Sequence, residues 1–310
     1  MTPTLSAHLG NFAASDPGDW APLLDRARTA DAIGIDRLSV SDHVVMGEHL
    51  EAYGVPERGG VEGGKQPTGP DGIWLEPLTV LTAVAAVTSR VRLSTGILLA
   101  ALRRPVVLAK TAATIDVLSG GRLDLGVGVG WQREEYEAAG LDYSARGRLL
   151  DHTLEVVQTL WREQSARFDG DGLHFEGVHC MPKPVQPGGV PFWVSGRMND
   201  RVIERIVRFG SGWIPWGDEA RNPAAHVARI RDALAAAGRD ASGFQVEGPL
   251  PVVRDADGGI DIARTMENLP PLVEAGITDF RLPARVPEDV ARGQEQLGPI
   301  VAAFRAAVGR

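Results

Sequence analysis

Short apolar runs alternate with longer segments of helical spacing along the chain, and this alternation constrains the fold more than any other feature of the sequence. The apolar runs have the length of buried strands, and the segments between them carry helix start and stop signals. Eight strands are predicted in this way: Leu5–Leu9, Arg37–Ser41, Arg92–Ile97, Leu123–Val127, Phe192–Ser195, Gly212–Pro215, Phe244–Gly248 and Asp279–Leu282.

Local signals mark the helices between these strands. Asp19 is suited to accept backbone N–H bonds as an N-cap, and Gly34 is suited to the left-handed conformation that ends a helix. Pro77 and Pro105 predict two further helix starts, because proline in the first turn loses no internal hydrogen bond. Strands separated by helices pair in parallel, and eight such repeats close a barrel. We therefore predict an α/β protein with a (β/α)₈ TIM barrel as a single domain over residues 1–310.

A doubly wound open sheet is the structural alternative. That fold carries a GxGxxG fingerprint after its first strand, whereas ordinary loop sequence follows here. The run GVGVG at 126–130 lacks the GxGxxG spacing, so its glycines fit strand-end packing as well as phosphate contact. The barrel is favoured.

Two insertions interrupt the repeat. Residues 46–73 follow the second strand and are rich in glycine and proline, and a loop of this length is usually functional or disordered. At the catalytic end of a barrel it could cover a ligand as a lid, with Tyr53 and Trp74 as apolar cover. Residues 165–190 precede the fifth strand and predict a small hairpin or loop.

Composition and motifs argue against several classes of function. The 40 acidic and 32 basic residues give a net charge of -8, which repels phosphate backbones, so no nucleic acid partner is expected. No long apolar run and no signal-peptide pattern occur, so we expect no membrane association and a cytoplasmic location. The single cysteine, Cys180, fits a reducing compartment. HExxH, CxxC and GxSxG motifs do not occur, and no metal site is predicted.

The second strand ends in Ser41, Asp42 and His43, which places an imidazole at the predicted barrel mouth. Active sites of such barrels lie where strands end and the following loops begin. His43 is a candidate proton donor or acceptor, because imidazole titrates near neutral pH. The alternative is a structural histidine, and the position at the barrel mouth favours the catalytic role.

The fifth strand ends in Ser195, Gly196 and Arg197, before a helix predicted to begin near Asn199 or Asp200. The free N–H groups and dipole of a helix start favour an anion, and an arginine adds a charged donor. The segment is a candidate phosphate site. The alternative is a capping loop whose arginine is solvated.

Glycines and aromatic residues end the fourth and sixth strands. Gly128, Gly130 and Trp131 are candidates for contact with a bound ring, since flat aromatics beside glycine-opened space suit a tricyclic group. Trp216 is a further candidate, whereas Trp213 is better explained by core packing. Four charged residues further along are expected to form helix-surface salt bridges: Glu134, Glu135, Arg146 and Arg148.

The chain resembles the luciferase-like flavin monooxygenases and deazaflavin-dependent reductases along nearly its whole length. The resemblance rests on ADAIGIDRLSVSDHV, STGILLAALRRPVVLAKTAATIDVLSGGRLDLGVGVGW, VSGRMNDRVIERIVRFGSGWIPW and EAGITDFRL. It implies a luciferase-like barrel, often a homodimer, that takes a ring cofactor at its mouth. The SDHV and GVGVGW patterns are most similar to enzymes that use coenzyme F420, a deazaflavin, and FMN is the alternative cofactor.

The resemblance also implies roles for individual residues. Trp131 departs from the family pattern, because the sugar-phosphate dehydrogenases of this group have a catalytic glutamate there. We therefore expect hydride transfer to or from a small apolar or enone-like substrate. An FMN-dependent monooxygenase served by a separate flavin reductase and a non-catalytic cofactor-binding barrel are the alternatives. By this resemblance, Asp42 and His43 contact the ring or the substrate. The peptide between Gly96 and Ile97 is expected to be cis and to lie beside the ring. The cofactor phosphate is expected to be held by Ser195, Gly196 and Arg197.

Overall fold

Eight parallel strands close into a barrel in the computed structural model, which describes all 310 residues. Neighbouring barrel strands follow chain order, and the last strand pairs with the first through Thr4 and Asp279. This closure confirms the predicted TIM barrel. The strands are β1 (Thr4–His8), β2 (Phe12–Ala13), β3 (Arg37–Val40), β4 (Ile73–Trp74), β5 (Arg92–Leu98), β6 (Leu123–Val127), β7 (Ala166–Gly170), β8 (Leu173–Val178), β9 (Phe192–Gly196), β10 (Gly210–Pro215), β11 (Gln245–Pro249) and β12 (Asp279–Leu282).

Helices surround the barrel, and none of them is both long and apolar enough to cross a membrane. They pack against the outward-facing strand residues, as the contact of Phe280 in β12 with Phe304 shows. The helices are α1 (Ala21–Ile33), α2 (Pro77–Val87), α3 (Pro105–Ser119), α4 (Arg133–Ala138), α5 (Arg146–Arg162), α6 (Asp200–Phe209), α7 (Ala224–Ala236), α8 (Ile262–Glu267), α9 (Leu269–Ala275), α10 (Val290–Gln296) and α11 (Gly298–Ala307).

The helix ends predicted from local signals agree closely with the observed ones. Gly34 ends α1 with a φ of 91°, and Pro77 and Pro105 are the first residues of α2 and α3, as predicted. Asp19 is one residue too early to be the N-cap, which is Trp20. Its carboxylate nevertheless accepts the N–H of Ala21 at 2.8 Å, so the predicted interaction is present one position away.

Buried ion pairs fill the barrel interior at the amino-terminal ends of its strands. Arg37 lies 3.2 Å from Asp279 and 3.3 Å from Asp124, and the three side chains are at most 5% exposed. The guanidinium of Arg37 also stacks over Trp193 at 4.0 Å. This polar plug, which was not predicted from the sequence, fills the floor of the barrel.

Both insertions lie where they were expected. Residues 46–73 contain two short 3₁₀ turns, Leu50–Gly54 and Pro56–Arg58, before β4. β4 pairs antiparallel with β2 and so fixes the end of this insertion beside the barrel mouth. The second insertion forms the antiparallel hairpin of β7 and β8, as predicted.

Candidate active site at the barrel mouth

A single cavity of about 560 Å³ opens at the carboxyl-terminal ends of the barrel strands. Cavities of this size accommodate drug-sized ligands or cofactor rings. The ten residues predicted to form the site come from four separate strand ends, those of β3, β5, β6 and β9, and closure of the barrel brings them to this one cavity. The residues are Asp42, His43, Gly96, Ile97, Gly128, Gly130, Trp131, Ser195, Gly196 and Arg197.

His43 is paired with a buried carboxylate, that of Glu135. The Nδ1 atom of His43 lies 3.2 Å from Oε2 of Glu135, whose Oε1 accepts the N–H of Val44 at 2.8 Å. The two side chains are 10% and 1% exposed. A carboxylate in this position fixes the orientation of the imidazole, as in other acid–base sites.

The burial of Glu135 corrects two expectations. Glu135 was expected to form a salt bridge on a helix surface, but the first turn of α4 turns it inward toward His43. Trp131 was interpreted as the loss of a carboxylate from the site, and Glu135 supplies one four residues later. The register of α4 behind Trp131 was the only sequence signal that could have indicated this.

Aromatic rings confine the imidazole of His43. Trp74 meets it edge-on at a centroid distance of 4.6 Å, and Phe12 stacks on Trp74 at 4.3 Å. Trp131 is 6% exposed and lies 6.0 Å from His43. The ring of His43 therefore has little freedom to turn away from Glu135.

Asp42 is held by neighbouring groups. Its carboxylate accepts the N–H of Leu99 at 2.8 Å and two bonds from Arg103 at 2.6 and 3.1 Å, and the side chain is 0% exposed. Burial alone would lower the pKa of Arg103, but Asp42 and Glu76 raise it above its usual value. Asp42 thus fixes the strand end that carries His43, while its expected contact with a ring or substrate stays a prediction.

Gly96, Gly128 and Gly130 also line the cavity. The peptide between Gly96 and Ile97 is cis, as the family resemblance implied. A Cβ atom at Gly128 would lie 3.0 Å from the side chain of Ile97, and Gly130 has a φ of 70°. A Cβ atom at Gly130 would lie 2.6 Å from the side chain of Leu99, so glycine at these positions lets the backbone pack closely against Ile97 and Leu99.

The loop after β9 has the features of an anion site. The side chain of Asn199 caps α6, and Ser195 lies just before it. Arg197 donates from Nη2 to the carbonyl oxygen of Gly60 at 3.1 Å, while its buried Nε has no partner. A buried donor without an acceptor is unusual and costly, and this atom packs against Gly217, where a Cβ would lie 2.8 Å from it.

Glu219 is hydrogen-bonded to the backbone of this loop. Its Oε1 accepts the backbone N–H of Met198 at 3.3 Å, immediately after Arg197. A phosphate bound here would lie near that carboxylate and compete with it for donors. Glu219 was not predicted from the sequence, because it lies beyond the next strand, β10, and its proximity depends on the packing of that loop.

The first insertion covers part of the cavity. Tyr53 approaches Trp131 at 5.4 Å and Trp216 at 5.9 Å between ring centroids. The indole N–H of Trp216 donates to the carbonyl oxygen of Gly59 at 2.9 Å. Trp213 is fully buried and was correctly expected in the core. The insertion is therefore tied to loops that follow β6, β9 and β10.

A second set of polar side chains lines the cavity and was missed from the sequence. His8, Glu247 and Arg281 come from β1, β11 and β12. Burial, and then the charge of Arg281, lower the pKa of His8 to about 4, although a hydrogen bond with Ser39 opposes them. Burial raises the pKa of Glu247 despite the nearby Arg281. His8 therefore adds no charge to this part of the site at neutral pH, and Arg281 is its exposed charged group.

The sequence matches a family model and individual proteins of other organisms. Residues 4–257 match the model of the luciferase-like monooxygenase family. Rv0953c of Mycobacterium tuberculosis is 34% identical over 227 residues, which are 72% of this chain and 75% of that protein. Pyrimidine monooxygenase RutA of Escherichia coli is 30% identical over 178 residues, 55% of this chain and 48% of that protein.

Solved structures show the same fold at low sequence identity. An F420-dependent secondary alcohol dehydrogenase in complex with an F420–acetone adduct has a TM-score of 0.73 and 18% identity, covering 98% of this chain and 100% of that one. This likeness supports the barrel and not a particular activity.

Proposed function

The chain belongs to the luciferase-like monooxygenase family, and from that premise we propose that it is an oxidoreductase that transfers hydride between coenzyme F420 and a small organic substrate. The observation that carries this proposal is the convergence of a His43–Glu135 pair, three glycines and the loop that carries Arg197 on one cavity. Each part matches one requirement of a phosphate-bearing ring cofactor.

The residues present fit such a cofactor. Ser195, Gly196 and Arg197 lie together at the cavity and would hold its phosphate. Gly96 and Gly128, which line the cavity, would lie against its flat ring. When bound, the deazaflavin would supply or accept the hydride, and the protein would supply binding and orientation.

The chain's own residues would manage the proton. With Nδ1 of His43 facing Glu135, Nε2 is the nitrogen left for the cavity. His43 would hold or release a proton there, and Glu135 would position the imidazole and offset its positive charge. Residues 46–73 would limit water at the mouth, since Tyr53 and Gly59 already contact its walls.

An FMN-dependent monooxygenase is the second candidate. It is favoured by the similarity to RutA, whose name assigns it a pyrimidine monooxygenase activity. The same cavity and phosphate loop would serve FMN, while a separate reductase would supply reduced flavin. The two candidates differ in the cofactor bound and in whether oxygen is consumed.

Parallel titration with coenzyme F420 and FMN tests the proposal. We expect the purified protein to bind the deazaflavin more tightly, detected by quenching of its fluorescence, and to reoxidise the reduced form anaerobically with a small carbonyl substrate. Tighter binding of FMN, with oxygen consumption when reduced FMN is supplied, would instead establish the monooxygenase. Failure to bind either cofactor would refute both candidates.

The assembly and location expected from the sequence belong to the same proposal. We propose a homodimer in the cytoplasm that acts on a small molecule without a nucleic acid partner. Light scattering of the purified protein measures the assembly directly, and a monomeric mass at micromolar concentration would contradict the dimer.

A further inference from the structure

Three polar side chains form one wall of the cavity and take no part in the proton transfer assigned above. His8 ends β1, while Glu247 and Arg281 are the third residues of β11 and β12. β12 pairs with both β1 and β11, so the three residues come from adjacent strands. We call this group the polar wall.

Glu247 points into the barrel. Its neighbours Val246 and Gly248 are buried, with Val246 only 1% exposed, whereas the side chain of Glu247 is 15% exposed. Side chains alternate between the two faces of a strand, so Val246 faces the helices and Glu247 faces the interior. Because Glu247 lines the cavity, its exposed part is open to a bound ligand.

The polar wall has hydrogen-bonding capacity that the protein does not use. Glu247 has one charged partner, Arg281, at 3.4 Å between Oε1 and Nη1, and no hydrogen bond. His8 has a single side-chain hydrogen bond, of 3.5 Å between Nδ1 and Oγ of Ser39, which leaves its Nε2 free. Buried polar groups are normally hydrogen-bonded, so these atoms are available to a ligand.

The burial of His8 and Glu247 favours a neutral ligand group at these two side chains. His8 is uncharged at neutral pH, because burial and Arg281 lower its pKa to about 4. Burial raises the pKa of Glu247, Arg281 lowers it, Asp279 raises it and Arg37 lowers it, with a net upward shift. A carbonyl, imide or hydroxyl group can bond to these side chains without bringing a further charge into a buried site.

We propose that Glu247 and His8 bind a neutral carbonyl, imide or hydroxyl group, which makes Glu247 a specificity-determining residue of the cavity. The inference rests on the proposed function. Two sources present this chemistry: the pyrimidinedione edge of the ring cofactor, or a carbonyl or hydroxyl group of the substrate. A pure hydrocarbon offers neither donor nor acceptor, so the wall disfavours it as a substrate.

Two substitutions at Glu247 test the assignment. Glu247→Gln keeps a neutral donor and acceptor, whereas Glu247→Leu removes both at similar volume. Arg281 is 52% exposed and remains hydrated when its partner is removed, so both variants should fold, which thermal melts check. Glu274→Leu, at an exposed position in α9, is the matched control.

The affinities of the four proteins are measured in two arms. The first arm titrates coenzyme F420 and FMN, and the second measures cyclohexenone binding to the cofactor-loaded protein by saturation-transfer NMR. We expect Glu247→Leu to weaken binding about tenfold in one arm, with Glu247→Gln and Glu274→Leu within about threefold of wild type. Loss in the first arm identifies the cofactor edge as the bound group, and loss in the second identifies the substrate.

Other outcomes overturn the inference. Unchanged affinities of Glu247→Leu in both arms would show that the carboxyl contacts neither ligand. Equal losses in Glu247→Gln and Glu247→Leu would show that an ionised carboxylate is required instead of a neutral group. A wild-type protein that binds neither cofactor refutes the proposed function and this inference with it, whereas failure at Glu247 alone leaves the proposed function intact.

Discussion

Substitution of His8 should change how the stability of the protein depends on pH. The native pKa of His8 is about 4, against 6.5 for an unperturbed histidine, chiefly because burial disfavours the charged imidazole. The unfolded chain therefore takes up a proton between pH 6.5 and about 4 that the native protein does not. Since the native pKa is lowered, the stability is fully present above pH 6.5 and is lost as the pH falls toward about 4.

The magnitude follows from the difference between the two pKa values. A shift of about 2.5 units corresponds to about 3 kcal/mol of unfolding free energy over the whole interval, and about 2 kcal/mol of it is lost between pH 7 and pH 5. His8→Gln cannot take up this proton in either state. The variant should therefore lose about 2 kcal/mol less than wild type over the same pH range.

Urea unfolding followed by circular dichroism at several pH values between 7 and about 4.5 measures the two curves. Glu247, whose pKa is raised, titrates in the opposite direction, but both proteins contain it and the comparison cancels its contribution. Parallel curves for wild type and His8→Gln would refute the reasoning. Such a result would mean that His8 is solvated and protonates normally, and it would also remove the neutral imidazole from the polar wall.

Three further predictions address the site and the barrel floor. Glu135→Gln should lower cofactor turnover about tenfold or more without changing cofactor affinity, because His43 loses its charged partner; unchanged steady-state turnover would contradict this. Arg197→Ala should weaken cofactor binding by about 1 to 3 kcal/mol. Glu219→Gln should strengthen cofactor binding, because it removes a competing charge. Titration measures both affinities, and unchanged affinity in both variants would exclude phosphate from this loop. Arg37→Ala should cost about 3 to 5 kcal/mol of unfolding free energy in urea, because it leaves buried carboxylates without their partner, and a loss below about 1 kcal/mol would contradict the role of the plug.

The local sequence determined the elements of the barrel. The positions of Gly34, Pro77 and Pro105 mark helix ends and starts that depend on the backbone preferences of those residues, and the structure has them at the same positions. The eight strands followed from runs of buried residues, since the period of a strand is set by its own side chains. Their number and order then limited the topology to a closed parallel barrel.

The site residues could be predicted from the sequence for a related reason. In a TIM barrel the end of each strand lies at the mouth whatever the details of packing, so His43, Trp131 and Ser195 could be assigned to one cavity from their places along the chain. The hydrogen-bond and ion-pair partners of those residues could not be predicted in this way. Asp42 was expected to face a ligand, and only the structure showed that Arg103 and the backbone of Leu99 occupy its carboxylate.

What the tertiary structure alone decided is how charged residues are paired. Glu135 and Glu247 look like ordinary surface acids in a sequence of this composition, and closure of the barrel turns one toward His43 and the other into the cavity. The physical reason is the separation along the chain of the groups that determine each feature. Helix caps and the alternation of side chains along a strand depend on neighbouring residues. The burial and partners of a carboxylate arise from groups tens or hundreds of residues away, and these meet only when β12 closes on β1.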